Sequence, residues 1–496
     1  MILTVDLGTS ATKVALWDDD GLVSLARAPV ACAYGPGGRV EQDPASWWSS
    51  TATACAAVRA EAPSAFSAVR ALGFSAARQT VVPVAADGSP VGPALVWSDR
   101  RAVDEVAALA AAGGGADAVR RRTGIVLDAA SVAAKVAWLV RHEPERMRRA
   151  RWLLSPRDLL AWRMTGELCT DPTLASATGL YDTWSWTEVP PGDEPPSAPV
   201  APLPELVGDH DALFPELRAS ASVTGALVVA AADELGLPVG VPVVIGAGDR
   251  ACEVLGAGAT PDRPMVSWGT TANVSVPVPA SARHDAPDTV VVTRAALGGW
   301  LLEGGLSAAG SLVDWLARLT GIGAGELLDR AGASPPGGRG VTVLPWFGGA
   351  RAPWWRDSAR GAVVGLSLDH DAADLARAVL ESVAWDVERC VASLAAVTGA
   401  AAGLALGGGG SGLASWVEVL TAVTGLPARR RRSGEAASAG AALVVAHAIG
   451  DGLDLDRLDP VVDDVAAEPS AVAAYRALRP SVDAAARAVI GLGADR

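Results

Sequence analysis

A chain of 496 residues, half of them hydrophobic and 19% charged, carries enough apolar material for two domains with full cores and too much for a disordered chain. Its net charge of −14 argues against nucleic acid or an anionic membrane as the principal partner. No run is apolar for long enough to span a bilayer, no charged segment precedes a signal-like apolar core, and the five cysteines lack Cys-x-x-Cys spacing, so a cytoplasmic protein without disulfides or structural zinc is expected.

The chain opens on an apolar run that meets Val5-Asp6-Leu7-Gly8-Thr9-Ser10-Ala11-Thr12-Lys13, a pattern of strand, tight turn and strand. Glycine at the turn lets backbone approach a ligand, and the Thr9, Ser10 and Thr12 hydroxyls with their peptide N–H groups are neutral donors suited to phosphate oxygens. Asp6, at the strand end, is placed to hold Mg²⁺ through water, or else makes an ordinary turn hydrogen bond. Lys13, one of very few lysines, can neutralise phosphate as a point cation or lie on the surface.

Asp43-Pro44 reads as a helix start, with aspartate capping and proline at the first helical position. Trp97, in Leu95-Val96-Trp97-Ser98-Asp99-Arg100-Arg101, is the best sugar-stacking candidate among 17 tryptophans, most of which must serve the core. The arginine runs at 120–122 and 429–432 read as solvated surface. Prolines and Gly192 mark a loop over residues 190–204. A short apolar strand then ends in Gly246-Ala247-Gly248-Asp249, which displays a carboxylate at a strand end, in position for a general base or for an ordinary turn.

The opening pattern returns in Val266-Ser267-Trp268-Gly269-Thr270-Thr271-Ala272-Asn273-Val274. Two copies half a chain apart indicate a duplicated domain gripping one polyphosphate from both sides. The spacing of Leu375, Val379, Val383 and Val387 predicts one long helix over 371–398, capped by Asp371 and stopped by Gly399. Residues 403–406 form an apolar strand running into Gly407-Gly408-Gly409-Gly410-Ser411-Gly412, a glycine loop suited to nucleotide approach but lacking a P-loop lysine. Strands alternating with alanine-rich helices make the chain α/β.

Together these segments resemble the FGGY carbohydrate kinases over nearly the whole chain. Asp6-Leu7-Gly8-Thr9-Ser10 resembles that family's first phosphate loop and Gly269-Thr270-Thr271 its second. Glu41-Gln42-Asp43-Pro44 with Trp47-Trp48, Trp97 to Arg101, Gly246 to Asp249, and Gly365-Leu366-Ser367-Leu368 with Glu381-Ser382-Val383-Ala384 follow in the family's order. Gly408-Gly409-Gly410 and Glu435 to Ala442 resemble its adenosine-site segments.

The resemblance implies two ribonuclease-H-like (actin-like ATPase) domains, residues 1–250 and 251–496, with a nucleotide cleft between them. It implies Mg²⁺-dependent transfer of the γ-phosphoryl group of ATP to a small sugar or polyol, with Asp249 as base and Asp6 at the metal. Gly8, Thr9, Ser10, Thr12, Lys13, Gly269, Thr270, Thr271, Gly408, Gly409, Gly410 and Ser411 fall at the nucleotide, and Arg78, Gln79, Trp97 and Arg250 on the sugar side. Residues 141–145, 155–158 and 163–167 are similar to stretches typical of xylulokinases, which makes D-xylulose the expected acceptor. The sugar loop departs from them: Arg78 and Thr80 stand as in glycerol kinases, Gln79 as in neither, and Ala130 stands where glycerol kinases place a tyrosine. Glycerol or another polyol is the alternative acceptor, and an actin-like or chaperone-type ATPase the alternative class. A homodimer is a candidate assembly.

Overall fold

The computed structural model describes residues 1–186, 203, 210–356 and 358–492, so the loop read over 190–204 lies outside the described residues apart from Leu203. The chain divides into two compact units. The first comprises Met1–Gly256, Val292–Trp300 and Ala436–Asp459, and the second Ala257–Val291, Leu301–Glu435 and Pro460–Arg496.

In the first unit the sheet runs in the order Val223–Ala226, Pro242–Gly248, Ala71–Ala76, Ile2–Leu7, Ala11–Asp18, Gly21–Pro29. The three N-terminal strands form an antiparallel meander, while Ala71–Ala76 and Pro242–Gly248 join in parallel. Ile2–Leu7 is buried throughout because it is central and covered on both faces. Alternation sends Leu3, Val5 and Leu7 into a core with Trp47, Ala54 and Val58 of the helix Ala45–Glu61. Each such side chain, fully buried, contributes roughly 1.5–3 kcal/mol. That helix begins one residue later than its sequence suggests: Pro44 takes the cap position and Asp43 accepts from the Ala45 amide at 3.0 Å.

Thr4 faces the other way and shares a 2.6 Å hydrogen bond with Ser438 of the helix Ala436–Ala448. The small residues of that helix have a packing cause. A Cβ on Gly440 would lie 1.9 Å from the Cys252 carbonyl, and one on Gly256 would lie 1.9 Å from the Ala436 carbonyl. The segment read as an adenosine-site match is, in the first unit, a helix pressed backbone to backbone against its neighbour.

The second unit repeats the plan. Trp300–Leu306, Ala272–Val278, Met265–Trp268, Leu404–Gly407 and Ala428–Arg431 lie in that order, followed by Val461–Val465. Met265–Trp268 pairs antiparallel with Ala272–Val278 and parallel with Leu404–Gly407. Each glycine-threonine hairpin thus occupies the same place in its own sheet, as expected of a duplicated α/β fold. The predicted long helix spans Ala372–Thr398, with Asp371 and Asp374 forming a capping box, Gly399 at its end, and Val379, Val383 and Val387 buried. The second arginine run is neutralised locally: Arg429 pairs with Asp464 at 3.2 Å and Arg430 with Asp463. No helix among the described residues is long and apolar enough to cross a membrane.

Candidate active site

The first hairpin turns at Gly8, where a Cβ would lie 2.9 Å from the Ala11 carbonyl. Thr9 is held from three sides: Trp97 Nε1 donates to its Oγ1 at 2.7 Å, Gln42 Nε2 to its carbonyl at 2.5 Å, and the Cys32 thiol lies 3.7 Å from that carbonyl. Trp47 Nε1 donates to Gln42 Oε1 at 2.9 Å and fixes the amide's orientation. Ser10, at the tip, is exposed. Asp6 is buried, accepts from Ser75 Oγ at 2.8 Å and stands across the strand pair from Lys13, whose Nζ is 3.8 Å away. Thr12 points to the opposite face, fully buried, with its hydroxyl 2.7 Å from Ser50 Oγ, so it supports the loop from beneath.

Asp249 begins the helix Asp249–Ala257 directly after Pro242–Gly248. The strand bulges between Val244 and Ala247, where Gly246 has φ +72°. Only glycine fits there, since a Cβ would sit 2.0 Å from the Phe74 carbonyl. The strand end is pinned by Thr173 Oγ1, which accepts from the Gly248 amide at 2.7 Å, and by Arg157, which donates to the Ile245 carbonyl at 2.7 Å. Asp249 keeps 41% of its side chain accessible, yet it sits in a recess dense enough in protein that burial raises its pKa above the ordinary aspartate value. Arg78 and Arg250 work against that rise. Arg78 Nε lies 3.6 Å from Asp249 Oδ1, and the Arg250 amide donates to the same oxygen at 2.6 Å. The Arg250 guanidinium turns instead to Glu253, at 2.5 Å. Burial raises the pKa of the Cys252 thiol, and the charges of Asp6, Asp171 and Asp249 add to that rise.

Gln79, beside Arg78, holds φ +58°, a left-handed backbone rare for a residue with a side chain. Its Nε2 is 3.4 Å from the Ala177 carbonyl, and its own carbonyl accepts from Lys135 Nζ at 2.7 Å. Trp97 is half-buried, with its N–H committed to Thr9.

In the second unit, Gly269 and Thr270 are exposed and Thr271 is half-buried. Space is open at Gly269, where a Cβ would meet nothing within 4 Å. The Ala309 and Ser311 amides donate to the Thr270 carbonyl at 3.0 and 3.2 Å, and the Gly310 amide to the Gly269 carbonyl at 2.8 Å. These bonds tie the start of the helix Gly310–Thr320 to the loop. Sequence reasoning passed over Ala309-Gly310-Ser311, whose one signal is a small-residue cluster before an apolar helix. The tetraglycine loop divides in two: Gly408 and Gly410 are pressed onto Trp268, where a Cβ on Gly410 would lie 2.0 Å from its indole nitrogen, while Gly409 is open. Ser411 is buried and its hydroxyl donates to the Gly408 carbonyl at 2.7 Å.

Chemically, the first unit offers a carboxylate kept basic by its surroundings, a guanidinium beside it, and a loop of small donors next to a lysine. Among the described residues no cluster of three metal-ligating side chains exists. A single carboxylate, Asp6, nevertheless suits Mg²⁺, which takes one or two protein oxygens and fills its shell with phosphate oxygens and water. Sequence reasoning also missed the roles of Arg157 and Lys135, both fully buried, because the Ile245, Gly246 and Gln79 carbonyls they bond lie far along the chain.

Comparison with known proteins matches both halves of the chain to one family. Residues 1–256 match the N-terminal domain of the FGGY family of carbohydrate kinases, and residues 265–449 its C-terminal domain. The chain is 30% identical to the xylulose kinase of Escherichia coli over 446 residues, covering 88% of this chain and 87% of that protein. It is 32% identical to a glycerol kinase of Cereibacter sphaeroides over 452 residues, covering 86% of each. The crystal structure of xylulose kinase from Rhodospirillum rubrum superposes with a TM-score of 0.84 at 27% identity, over 98% of both chains. Carried by both of its halves, the match makes this chain a member of the FGGY family of carbohydrate kinases.

Proposed function

We propose that this kinase transfers the γ-phosphoryl group of ATP to a hydroxyl of a small ketose or polyol, with D-xylulose, giving D-xylulose 5-phosphate, as first substrate and glycerol as second. The observation that carries the reading is Asp249: a carboxylate displayed at a strand end, with its pKa raised by burial and the Arg78 guanidinium 3.6 Å away. Asp249 takes the hydroxyl proton as the substrate oxygen bonds to phosphorus and ADP departs. Arg78, Gln79 and Arg250 border the acceptor, and Trp97 keeps Thr9 in place beside it. Thr9, Ser10 and Lys13 are assigned to phosphate oxygens in one unit, and Gly269, Thr270, Thr271 and Gly409 to the nucleotide in the other. Asp6 would hold Mg²⁺, which when bound offsets the charge of the phosphates. The protein's share is positioning and electrostatic stabilisation. A coupled ADP-release assay over ketopentoses, glycerol, tetritols and hexitols tests the reading. ATP turnover that none of these stimulates would overturn it.

Gln79→Glu is expected to reorder the substrate panel toward polyols. The amide now donates toward the Ala177 carbonyl; a carboxylate would be repelled there and would accept from substrate hydroxyls. An unchanged ranking of kcat/KM would remove Gln79 from the acceptor site.

Thr270→Ala is expected to raise the KM for ATP and leave the sugar KM nearly unchanged. A charge-assisted hydrogen bond to phosphate contributes about 1.5–3 kcal/mol, roughly 10- to 100-fold in affinity. A rise confined to the sugar KM would contradict this placement.

A further inference from the structure

Only two lysines occur in the chain, Lys13 and Lys135; every other strongly basic side chain is arginine. Lys135, in the helix Val132–His142, is fully buried. Its Nζ donates to two backbone carbonyls, those of Gln79 and Ala130, each at 2.7 Å. These carbonyls belong to segments 51 residues apart. One is the loop that aims Arg78 at Asp249. The other is the turn at Asp128–Ser131, which Asp128 ties together by accepting from the Ala130 and Ser131 amides at 3.0 Å.

From this juxtaposition we propose that Lys135 is the positioning residue of the acceptor pocket: by joining the Gln79 and Ala130 carbonyls it holds the Arg78–Gln79–Thr80 loop in the shape that presents Arg78 to Asp249. The inference rests on the reading of that loop as the sugar side of the site. Three features support it. Gln79 has φ +58°, and a residue with a side chain keeps that backbone only where its surroundings impose it. Two acceptors need two N–H donors, which a primary amine supplies in either protonation state. Burial lowers the Lys135 pKa to about 7; Asp99 and Asp128 oppose the shift, and Arg100 and Arg101 add to it. An arginine would stay charged in this buried position, whereas a lysine can lose its proton and still keep two donors. That accounts for a lysine at this buried position in a chain whose basic residues are nearly all arginine.

The test compares Lys135→Met, which keeps most of the apolar stem and loses the donors, with Lys135→Gln, which keeps two N–H donors one bond nearer the backbone than the ammonium. Amide hydrogen exchange of residues 77–81, measured without substrate, reads the clamp directly. Steady-state kinetics then read its consequence. For Lys135→Met we expect at least tenfold faster exchange in that segment and a ten- to hundredfold fall in kcat/KM for the sugar. The ATP KM should move less than threefold, and Lys135→Gln should recover part of both losses. Unaltered exchange in a folded Lys135→Met protein overturns the proposal, as does faster exchange with sugar kinetics unaltered. If Lys135→Met does not fold, Lys135→Leu, which also lacks the donors, takes its place: unaltered exchange of residues 77–81 in that folded variant, or faster exchange with sugar kinetics unaltered, overturns it. A wild-type enzyme that phosphorylates no member of the panel refutes the sugar-site reading instead, and the exchange measurement still decides whether Lys135 holds the loop.

Discussion

Asp249→Asn is expected to abolish most sugar phosphorylation, lowering kcat by roughly 10²–10⁴-fold, the usual cost of a positioned general base. Asparagine matches aspartate in size and its Oδ1 can still accept from the Arg250 amide, a bond of 2.6 Å in the present site, so the helix start should survive. It cannot take a proton, and it leaves Arg78 without the carboxylate 3.6 Å away. Because phosphoryl transfer can pass through a loose transition state with late proton transfer, the lower end of the range is within expectation. The loss should appear in kcat with smaller changes in either KM, since the missing interaction belongs to the transition state. The pH profile supplies a second reading. Burial raises the Asp249 pKa above the ordinary aspartate value, so the active, deprotonated form is lost as pH falls through that raised pKa. Wild-type activity should therefore decline on the acid side sooner than an exposed aspartate would allow, and the variant should lack that limb. A folded variant keeping more than about a third of the wild-type kcat, far above the loss expected for a base, would refute the assignment.

The strands, hairpins and strand-end carboxylate were legible because each is a local event: a β-rich run, a glycine turn, a residue that follows directly. The hairpins at Gly8 and Gly269 and the helix Ala372–Thr398 follow from short-range rules of turn and cap chemistry. What local pattern could not supply is the closing of the chain on itself. Nothing in the linear order marks Ala436–Ala448 as a helix of the first unit, because its Gly440 and Ala436 answer to the Cys252 and Gly256 backbone, brought against them only by folding. Thr12 and Ser10 both look like phosphate donors in sequence, but Thr12 lies in the strand Ala11–Asp18 and faces Ser50, while Ser10 lies in the turn before it, in the open. Trp97 illustrates a subtler case. Its placement near the first loop follows from the segment's position in the motif order, but the commitment of its N–H to Thr9 is a matter of rotamer and distance. Gln79 is another such case, with a left-handed backbone that no residue preference announces.

Arg157→Met is expected to be the most destabilising single change in the first unit. Arg157 is fully buried and donates five hydrogen bonds: to Asp158 Oδ1 at 2.9 Å, Asp171 Oδ1 at 2.8 Å, the Ile245 and Gly246 carbonyls at 2.7 and 3.2 Å, and Thr170 Oγ1 at 3.4 Å. Burial alone would disfavour its charge, but Asp158 and Asp171 outweigh that and hold it more firmly protonated than an ordinary arginine. Methionine fills the space of the stem and leaves two carboxylates, themselves 3% and 0% exposed, without their cation. Breaking a buried pair in this way typically costs about 3–5 kcal/mol, a large fraction of the stability of any domain. Arg157→Lys should fall between the two, since an ammonium keeps the charge but has three donors for five acceptors. Activity should suffer as well as stability, because the Ile245 and Gly246 carbonyls belong to the strand that delivers Asp249. Two compact units need not unfold in one step, so the quantity to follow is the lowest urea transition seen by tryptophan fluorescence. A shift equivalent to less than about 1 kcal/mol, well under the cost of orphaning a buried charge, would mean that water or a rearranged side chain replaces the guanidinium, and that the Asp249 strand does not depend on it.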